Sequence, residues 1–268
     1  MFEIFNYEFM QNAILASFLA SIACGIIGTY IVIKRLVFLS GGISHSAYGG
    51  IGLGYLLSFN PIFGAVISSL LGAIFVSQMR KSKMENEDTL IGIIWAFGMA
   101  LGVLFIGLAP GYAPDLMSYL FGNILTVSKS EIILMASADV IIILVVSLFF
   151  KQFQSITFDE EYSQTIGLNV DLFYLILFAL IALTLVLLIK LVGIILVVAL
   201  LTIPAAISKM LSKSLKSMMI LSIIFGLVFT IFGLLISYYL NLPSGSAIII
   251  ISVIGYFLVF LINKYLNN

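Results

Sequence analysis

Charged residues are scarce in this sequence. Only 9% of its 268 residues are Asp, Glu, Lys or Arg, against about a quarter in an ordinary soluble domain, while 62% are hydrophobic. A soluble domain of this size cannot bury so much apolar surface, whereas a bilayer accepts it without a polar shell. The composition therefore excludes a soluble enzyme and a disordered protein, and predicts an integral membrane protein.

The chain also has no net charge, one cysteine and one histidine, and each of these low numbers excludes a class of function. Twelve Lys and Arg residues balance twelve Asp and Glu residues, so no basic field attracts nucleic acid. The only cysteine, Cys24, forms neither an internal disulfide nor a multi-cysteine metal site. The sequence has one histidine and no protease, phosphate-loop or dinucleotide motif. It therefore predicts neither catalysis nor a cofactor within this chain.

Nine apolar segments predict membrane helices. They are residues 11–33, 36–57, 61–79, 89–109, 131–150, 171–189, 193–208, 216–239 and 244–262. Most approach the ~20 residues that a helix needs to cross about 30 Å of hydrocarbon. The segment 193–208 is shorter and contains Pro204, so eight spans with this segment re-entrant are the alternative. The expected fold is an all-α integral membrane protein, with residues 1–268 forming one transmembrane domain.

The basic residues favour one orientation of these helices. With nine spans and the N-terminus outside, only two of the twelve basic residues, Lys129 and Lys190, lie on the extracytoplasmic side of the cell membrane. The others lie on the cytoplasmic side, as the positive-inside rule requires. These are Lys34, Arg35, Arg80, Lys81, Lys83, Lys151, Lys209, Lys213, Lys216 and Lys264. The C-terminus is then cytoplasmic.

The second apolar segment carries the most informative pattern, SGGISHSAYGGIGLGY at residues 40–55. Small residues recur at every fourth position and line one helix face, so that another backbone can approach closely. They are Gly42, Ser46, Gly50 and Gly54. The spacing of Gly98 and Gly102 is a weaker signal of the same kind. His45 lies on the adjacent strip, ~14 Å from the cytoplasmic end of the helix. Because ionisable groups inside membranes are rare and usually functional, His45 either lines a substrate path or is a hydrogen-bonded packing residue.

Asp139 is a second ionisable residue at membrane depth. It lies about eight residues into a helix that descends from the outside, at a depth similar to that of His45. Its carboxyl group either pairs with a cation in transit or is a neutral acid hydrogen-bonded to another helix.

One substantial polar segment separates two spans, KQFQSITFDEEYSQTIGLNVD at residues 151–171. Asp159, Glu160 and Glu161 suit the N-terminus of a short helix, where acids oppose the helix dipole, and Gly167 is placed to end it. Such a helix at the cytoplasmic surface provides a rigid contact for a partner. The alternative is a solvated loop.

Four segments of the chain resemble motifs of the metal-importing ABC permeases, and they occur in the same order. FDEEYSQTIGLNV is similar to the family's coupling segment, approximately FDPExARxxGLPV, and SGGISHSAYGGIGLG is similar to its SDAxSHAxLPGxxxG. DLMSYLFGNILTVS, at 115–128, is similar to its DLxSYLFGDILxVS. VGIILVVALLTIPAAIS, at 192–208, is similar to its VGxLLVxALLIxPAATA. The chain is identified on these motifs as a member of that family.

The resemblance implies a type II ABC importer permease that transports zinc, manganese or iron as a divalent ion. It implies a homodimer in membrane lipid, cytoplasmic ABC ATPase subunits that bind ATP, and an extracytoplasmic metal-binding protein. Residues 151–170 become the cytoplasmic coupling loop. Contact with the ATPase is then expected at Asp159, Glu160, Glu161 and Gly167.

Three residues are candidates for the substrate path: His45 within a shared motif, Asp115 at the start of another, and Asp139 outside the motifs. Gly41 and Asn123 stand where the family often has aspartate, so two carboxylate contacts are missing. The alternative function is a self-contained secondary carrier or cation channel in which His45 and Asp139 relay protons or cations.

Overall fold

Helices form nearly all of the regular structure. In a computed structural model of the chain, residues 6–81, 87–110 and 122–266 are described. The helices are α1 (Glu8–Ile33), α2 (Val37–Leu56), α3 (Pro61–Lys81), α4 (Glu87–Leu108), α5 (Lys129–Leu148), α6 (Phe150–Phe158), α7 (Glu160–Thr165), α8 (Val170–Val192), α9 (Ile194–Leu211), α10 (Leu215–Leu240) and α11 (Ser244–Leu266). A 3-10 turn, Ile124–Thr126, precedes α5.

The nine apolar segments predicted from the sequence are all long helices, of 18 to 26 residues. Within the described ranges, eight are long and apolar enough to cross a membrane, judged by length and composition alone. The remaining helix is α2, whose 20 residues include six glycines, three serines and a histidine that lower its hydropathy. The predicted all-helical membrane fold is confirmed.

The segment around Pro204 is longer than the sequence predicts. Gly193 ends the preceding helix with a φ of 79°, a left-handed conformation that favours glycine, and α9 then continues to Leu211. Its 18 residues place it among the eight candidate spans, with Pro204 inside the helix. The length of this segment therefore does not require the re-entrant alternative.

The helices group into two compact units, and each unit is built from separate stretches of the chain. One contains α1, the 3-10 turn, α5 as far as Leu144, the end of α8 from Leu187, and α9 to α11. The other contains α2 to α4, α5 from Val145, α6, α7, and α8 as far as Val186.

Helix α1 is the centre of the first unit and packs against α9 and α10. Glycine permits this packing, because a Cβ on Gly28 would lie 2.2 Å from the carbonyl oxygen of Leu201. A Cβ on Gly25 would meet Ile223 of α10 at 2.5 Å. Cys24, on the same helix, is free and buried, as expected for a small apolar residue.

Helix α2 is the centre of the second unit, between α3 and α4. Most of its residues are buried, although it is the least apolar of the long helices by the measure above. A helix of small and polar residues is poorly suited to contact with lipid and well suited to contact with other helices. The sequence therefore places α2 where its neighbours can shield it.

Candidate functional site

The small residues of α2 allow α3 and α4 to pack closely against it. A Cβ on Gly50 would lie 2.0 Å from the carbonyl oxygen of Gly64 in α3, and one on Gly54 would lie 2.6 Å from Pro61. On the other side, a Cβ on Gly42 would meet Ile91 of α4 at 2.5 Å. Real Cβ contacts are not this short, so these backbones approach more closely than any larger residue allows.

Ser46 continues the same arrangement. Its hydroxyl donates to the carbonyl oxygen of Ile43 at 2.7 Å, which satisfies the polar group inside its own helix. A Cβ on Gly98 of α4 would lie 2.6 Å from the Cα of Ser46. A Cβ on Gly102, one turn later, would lie 2.8 Å from the carbonyl oxygen of Tyr48. The Gly98 and Gly102 spacing, weak as a sequence signal, marks the α4 face that contacts α2.

His45 lies near the middle of α2 and faces α4. Its imidazole stacks on the indole of Trp95, with ring centroids 4.1 Å apart and 14° between the ring planes. Its Nδ1 lies 3.0 Å from the Sδ of Met99. Trp95 and Met99 are four residues apart on α4 and so share one helix face. The two side chains fix the plane and the rotation of the imidazole ring.

The contact with Met99 also selects a tautomer. A thioether sulfur has no hydrogen to donate and can only accept. In the neutral tautomer that donates to this sulfur, the hydrogen is on Nδ1 and the lone pair of Nε2 is available to a cation. Histidine ligands to metals also have one ring nitrogen held by a neighbour, but that neighbour is a carboxylate, a carbonyl or water rather than a thioether.

His45 and Asp139, two of the candidates for the substrate path, lie in different compact units. Asp139 lies in α5, is 5% exposed, and its Oδ2 has no hydrogen-bond partner among the described residues. It belongs to the first unit and His45 to the second. Asp115 lies outside the described residues. Where the structure is described, no three His, Cys, Asp or Glu residues form a group that could hold a metal ion.

A groove of about 750 Å³ runs between α3 and α4 over the surface of α2. Its lining is apolar, with side chains such as Leu71, Phe75 and Phe97, and its few polar groups include Ser46 and Gln78. An unpaired cation is costly to place among such groups. The groove beside His45 is therefore poorly suited to hold a metal ion.

The short helix predicted between Asp159 and Gly167 is present as α7, and a further helix, α6, precedes it. Helix α6 buries Phe153 and Ile156, which are three residues apart and so lie on one face. Helix α7 follows after Asp159, whose carboxylate accepts from the N–H of Tyr162 at 2.9 Å. The hydroxyl of Ser163 lies 2.8 Å from that of Ser155, which joins the two helices. The segment is thus a small, internally bonded structure between α5 and α8.

The two glutamates at the start of α7 have different surroundings. The carboxylate of Glu160 forms an ion pair with Arg80 at the end of α3, with N···O 2.6 Å. The side chain of Glu161 is exposed. Of these two predicted ATPase contacts, Glu161 is exposed, whereas Glu160 is paired within the chain.

Gly167 ends the segment with a backbone conformation that depends on glycine. Its φ is +83°, and its N–H donates to the carbonyl oxygen of Gln164 at 3.0 Å. We expect Gly167→Val to disturb this turn and lower transport several-fold, because a β-branched residue is strained at positive φ. Gly167→Asn is the matched control, since asparagine tolerates this conformation and the structure has open space at that Cβ. Equal uptake by the two variants, at equal membrane levels, would contradict a role for this turn.

Two partners of the candidate site were not predicted from the sequence: Trp95 and Met99. Trp95 is the only tryptophan in the chain and lies in a membrane helix four residues before Met99. That rarity and spacing are a usable signal for a functional face on α4. The contact with His45, 50 residues earlier, depends on how α4 rotates against α2.

The fold described above is that of a multi-pass α-helical membrane protein. Its helix α2, which carries His45, is mostly buried, and the capped helix α7 lies between two spans. The chain matches the ABC 3 transport family over residues 6–263. It therefore belongs to the ABC 3 transport family.

Relatives and a solved structure agree with this membership. An uncharacterized membrane protein of Synechocystis sp. is 50% identical over 256 residues, which cover 96% of this chain and 91% of the relative. The manganese transport system membrane protein MntC of Listeria monocytogenes is 37% identical over 259 residues, or 96% of this chain and 91% of MntC. The structure of PsaBC from Streptococcus pneumoniae in complex with Fab matches with a TM-score of 0.85 at 33% identity, covering 95% of this chain and 91% of that chain. The predicted fold of a metal-importing ABC permease is confirmed.

Proposed function

We propose that this chain is the membrane-spanning subunit of an ATP-driven importer for a divalent ion of zinc, manganese or iron. The observation that carries the proposal is α7, a capped helix held between two spans of an ABC 3 family chain. A short helix fixed at both ends can transmit a displacement caused by a partner to the membrane helices around it. Transport is then a rigid-body switch between two arrangements of the helices.

Histidine chemistry supports a transition-metal ion as the substrate. The free Nε2 of His45 is a ligand for such ions, and a single nitrogen binds weakly enough to release them. A closed cage of four protein ligands would instead retain the ion. Manganese is the first metal to test, because relatives such as MntC are named for manganese transport.

The energy source is expected on partner subunits. The sequence has no phosphate-binding loop, so ATP is bound by cytoplasmic ABC ATPase subunits that press on α7. An extracytoplasmic metal-binding protein delivers the ion. Two copies of this chain form the translocation path between them. Asp159 and Gly167 then fix the ends of α7, and Glu161 contacts the ATPase.

Charge placement supports the orientation with the N-terminus outside and the C-terminus in the cytoplasm. We expect single cysteines at Asn60 and Leu242 to label from outside with an impermeant reagent, and those at Gln164 and Lys213 to label only from inside. All four side chains are exposed, so burial does not prevent the reaction. The buried Cys24 is first replaced by alanine to give an unreactive background. Labelling of Gln164 from outside would contradict both the orientation and the ATPase contact.

Metal-dependent ATP hydrolysis tests the proposed function. The chain is reconstituted with its ATPase and binding protein, and hydrolysis is measured with zinc, manganese, iron and cobalamin. We expect one of the three metals to stimulate hydrolysis and cobalamin to have no effect. Stimulation by cobalamin alone would show that the substrate is cobalamin and not a free metal ion. No stimulation, together with uptake driven by an ion gradient, would favour the secondary carrier.

A further inference from the structure

A cluster of three side chains joins α7 to two membrane helices. The guanidinium of Arg80, at the end of α3, pairs with Glu160 of α7 at 2.6 Å. The same guanidinium lies over the ring of Tyr174 in α8, with its Cζ 3.1 Å from the ring centroid. The hydroxyl of Tyr174 donates to the other carboxylate oxygen of Glu160. Each of the three residues therefore contacts the other two.

The cluster is more constrained than an ordinary surface ion pair. The side chains of Arg80 and Glu160 are 25% and 32% exposed, and Tyr174 is 3% exposed. The planar guanidinium stacks on a buried ring that cannot move freely. Formation of the ion pair with Glu160 therefore costs little additional side-chain conformational entropy. A nearby pair on the same two membrane helices differs in each respect: Lys81 and Asp171 are 3.8 Å apart and 66% and 57% exposed. Exposed ion pairs of that kind contribute little to the stability of the fold.

Helix α7 needs such contacts, because a helix of six residues is not stable in isolation. Its first residue, Glu160, is the one that the cluster holds. A displacement of α7 therefore acts on Arg80 and Tyr174. Helix α3, which ends with Arg80 and Lys81, packs on α2 through the Gly64 and Gly50 contact.

We propose that Arg80 and Tyr174 are positioning residues that transmit movement of α7 to α3 and α8. This inference rests on the proposed function, since it takes the ATPase to press on α7. The connection runs from Glu160 through Arg80 along α3 to α2, which carries His45. The cluster thus determines how much ATP is hydrolysed for each ion transported, without contact with the ion or with ATP.

The test measures ions transported per ATP hydrolysed by the complete reconstituted transporter. Glu160→Gln keeps side-chain size and removes the charge, whereas Arg80→Gln removes the guanidinium with its charge, and both are expected to lower this ratio about fivefold. The double variant is expected to resemble either single variant, because the two residues act as one unit. The Michaelis constant for the metal is expected to be unchanged. A merely structural role would lower the amount of assembled transporter and leave the ratio intact.

Matched controls come from the neighbouring exposed pair. Lys81→Gln and Asp171→Asn are expected to keep the wild-type ratio. An unchanged ratio in Arg80→Gln and Glu160→Gln, or additive losses in the double variant, would overturn the inference. Should those variants fail to assemble, Tyr174→Phe decides the question, since it keeps the buried ring and removes only the hydroxyl. Its ratio is expected to fall about threefold, and a wild-type ratio would overturn the inference.

Failure of this inference is distinguishable from failure of the proposed function. If the wild-type complex shows no ATP-dependent uptake, the proposed function is wrong. If the wild type is ATP-driven and the cluster variants keep its ratio, only the role of Arg80 and Tyr174 is wrong.

Discussion

Metal uptake by a His45→Ala variant is expected to fall at least tenfold, while insertion and assembly remain close to wild type. The variant removes the only imidazole in the chain and with it the free Nε2. Losses of ten- to a hundredfold are typical when support for a metal ligand is removed, and loss of the ligand itself is at least as severe. Alanine fits the small-residue surroundings of α2. Uptake of radioactive metal by cells, normalised to membrane level, is the measurement.

His45→Gln separates the two roles proposed for this residue. Glutamine keeps size and hydrogen bonding but is a poorer ligand, so it should resemble alanine if the imidazole lines the path. Ser44→Ala is the matched control, because that hydroxyl only donates to Ser40 within the same helix, at 2.7 Å. Wild-type uptake by His45→Gln, with loss of expression in His45→Ala, would mean that His45 serves to pack against Trp95. Asp139→Asn tests in parallel whether the buried charge in α5 is needed.

The second large effect is expected on stability, from Gly50→Ala. The new Cβ would lie 2.0 Å from the carbonyl oxygen of Gly64 and 2.4 Å from its carbonyl carbon. Both atoms belong to the backbone of α3, so α2 and α3 must separate along the contact that holds them together. We expect a loss of about 3 kcal/mol or more, at the upper end of the range for overpacking. Thermal unfolding of the purified protein in detergent measures it.

Gly92→Ala provides the control for that substitution. Gly92 lies in α4, and no atom lies within 4 Å of the position its Cβ would take. Alanine favours a helix over glycine by up to about 1 kcal/mol, so this variant should be as stable as wild type or slightly more stable. Equal melting temperatures for Gly50→Ala and wild type would contradict the close contact of α2 with α3.

The long helices were predictable because the bilayer sets their length and composition. Even α2, which falls below the hydropathy of the others, was predicted correctly as a helix, as one of the nine apolar segments. The segment 151–170 was less predictable. Its acids at 159–161 and Gly167 predicted the short helix α7, but α6 was not predicted, although Phe153 and Ile156 supply its apolar face.

Contacts between distant residues could not be predicted from one sequence. The pairs Arg80 with Glu160 and His45 with Trp95 depend on how far each helix rotates against its neighbour, and composition does not determine that rotation. The sequence identified Glu160 as a helix-starting acid, which is correct, but it could not show that the acid is already paired. It identified His45 as unusual but gave no information on its tautomer.

The proposed function requires that ATP hydrolysis on a partner drives metal through this chain. Proteoliposomes that contain the chain, its ATPase and its binding protein test it directly, with uptake of radioactive manganese, zinc and iron measured with and without ATP. Ionophores that collapse proton and sodium gradients are added in a parallel series. We predict uptake of at least one of these metals that requires ATP and persists with the ionophores. Uptake that occurs without ATP and stops when the gradients collapse would contradict the claim.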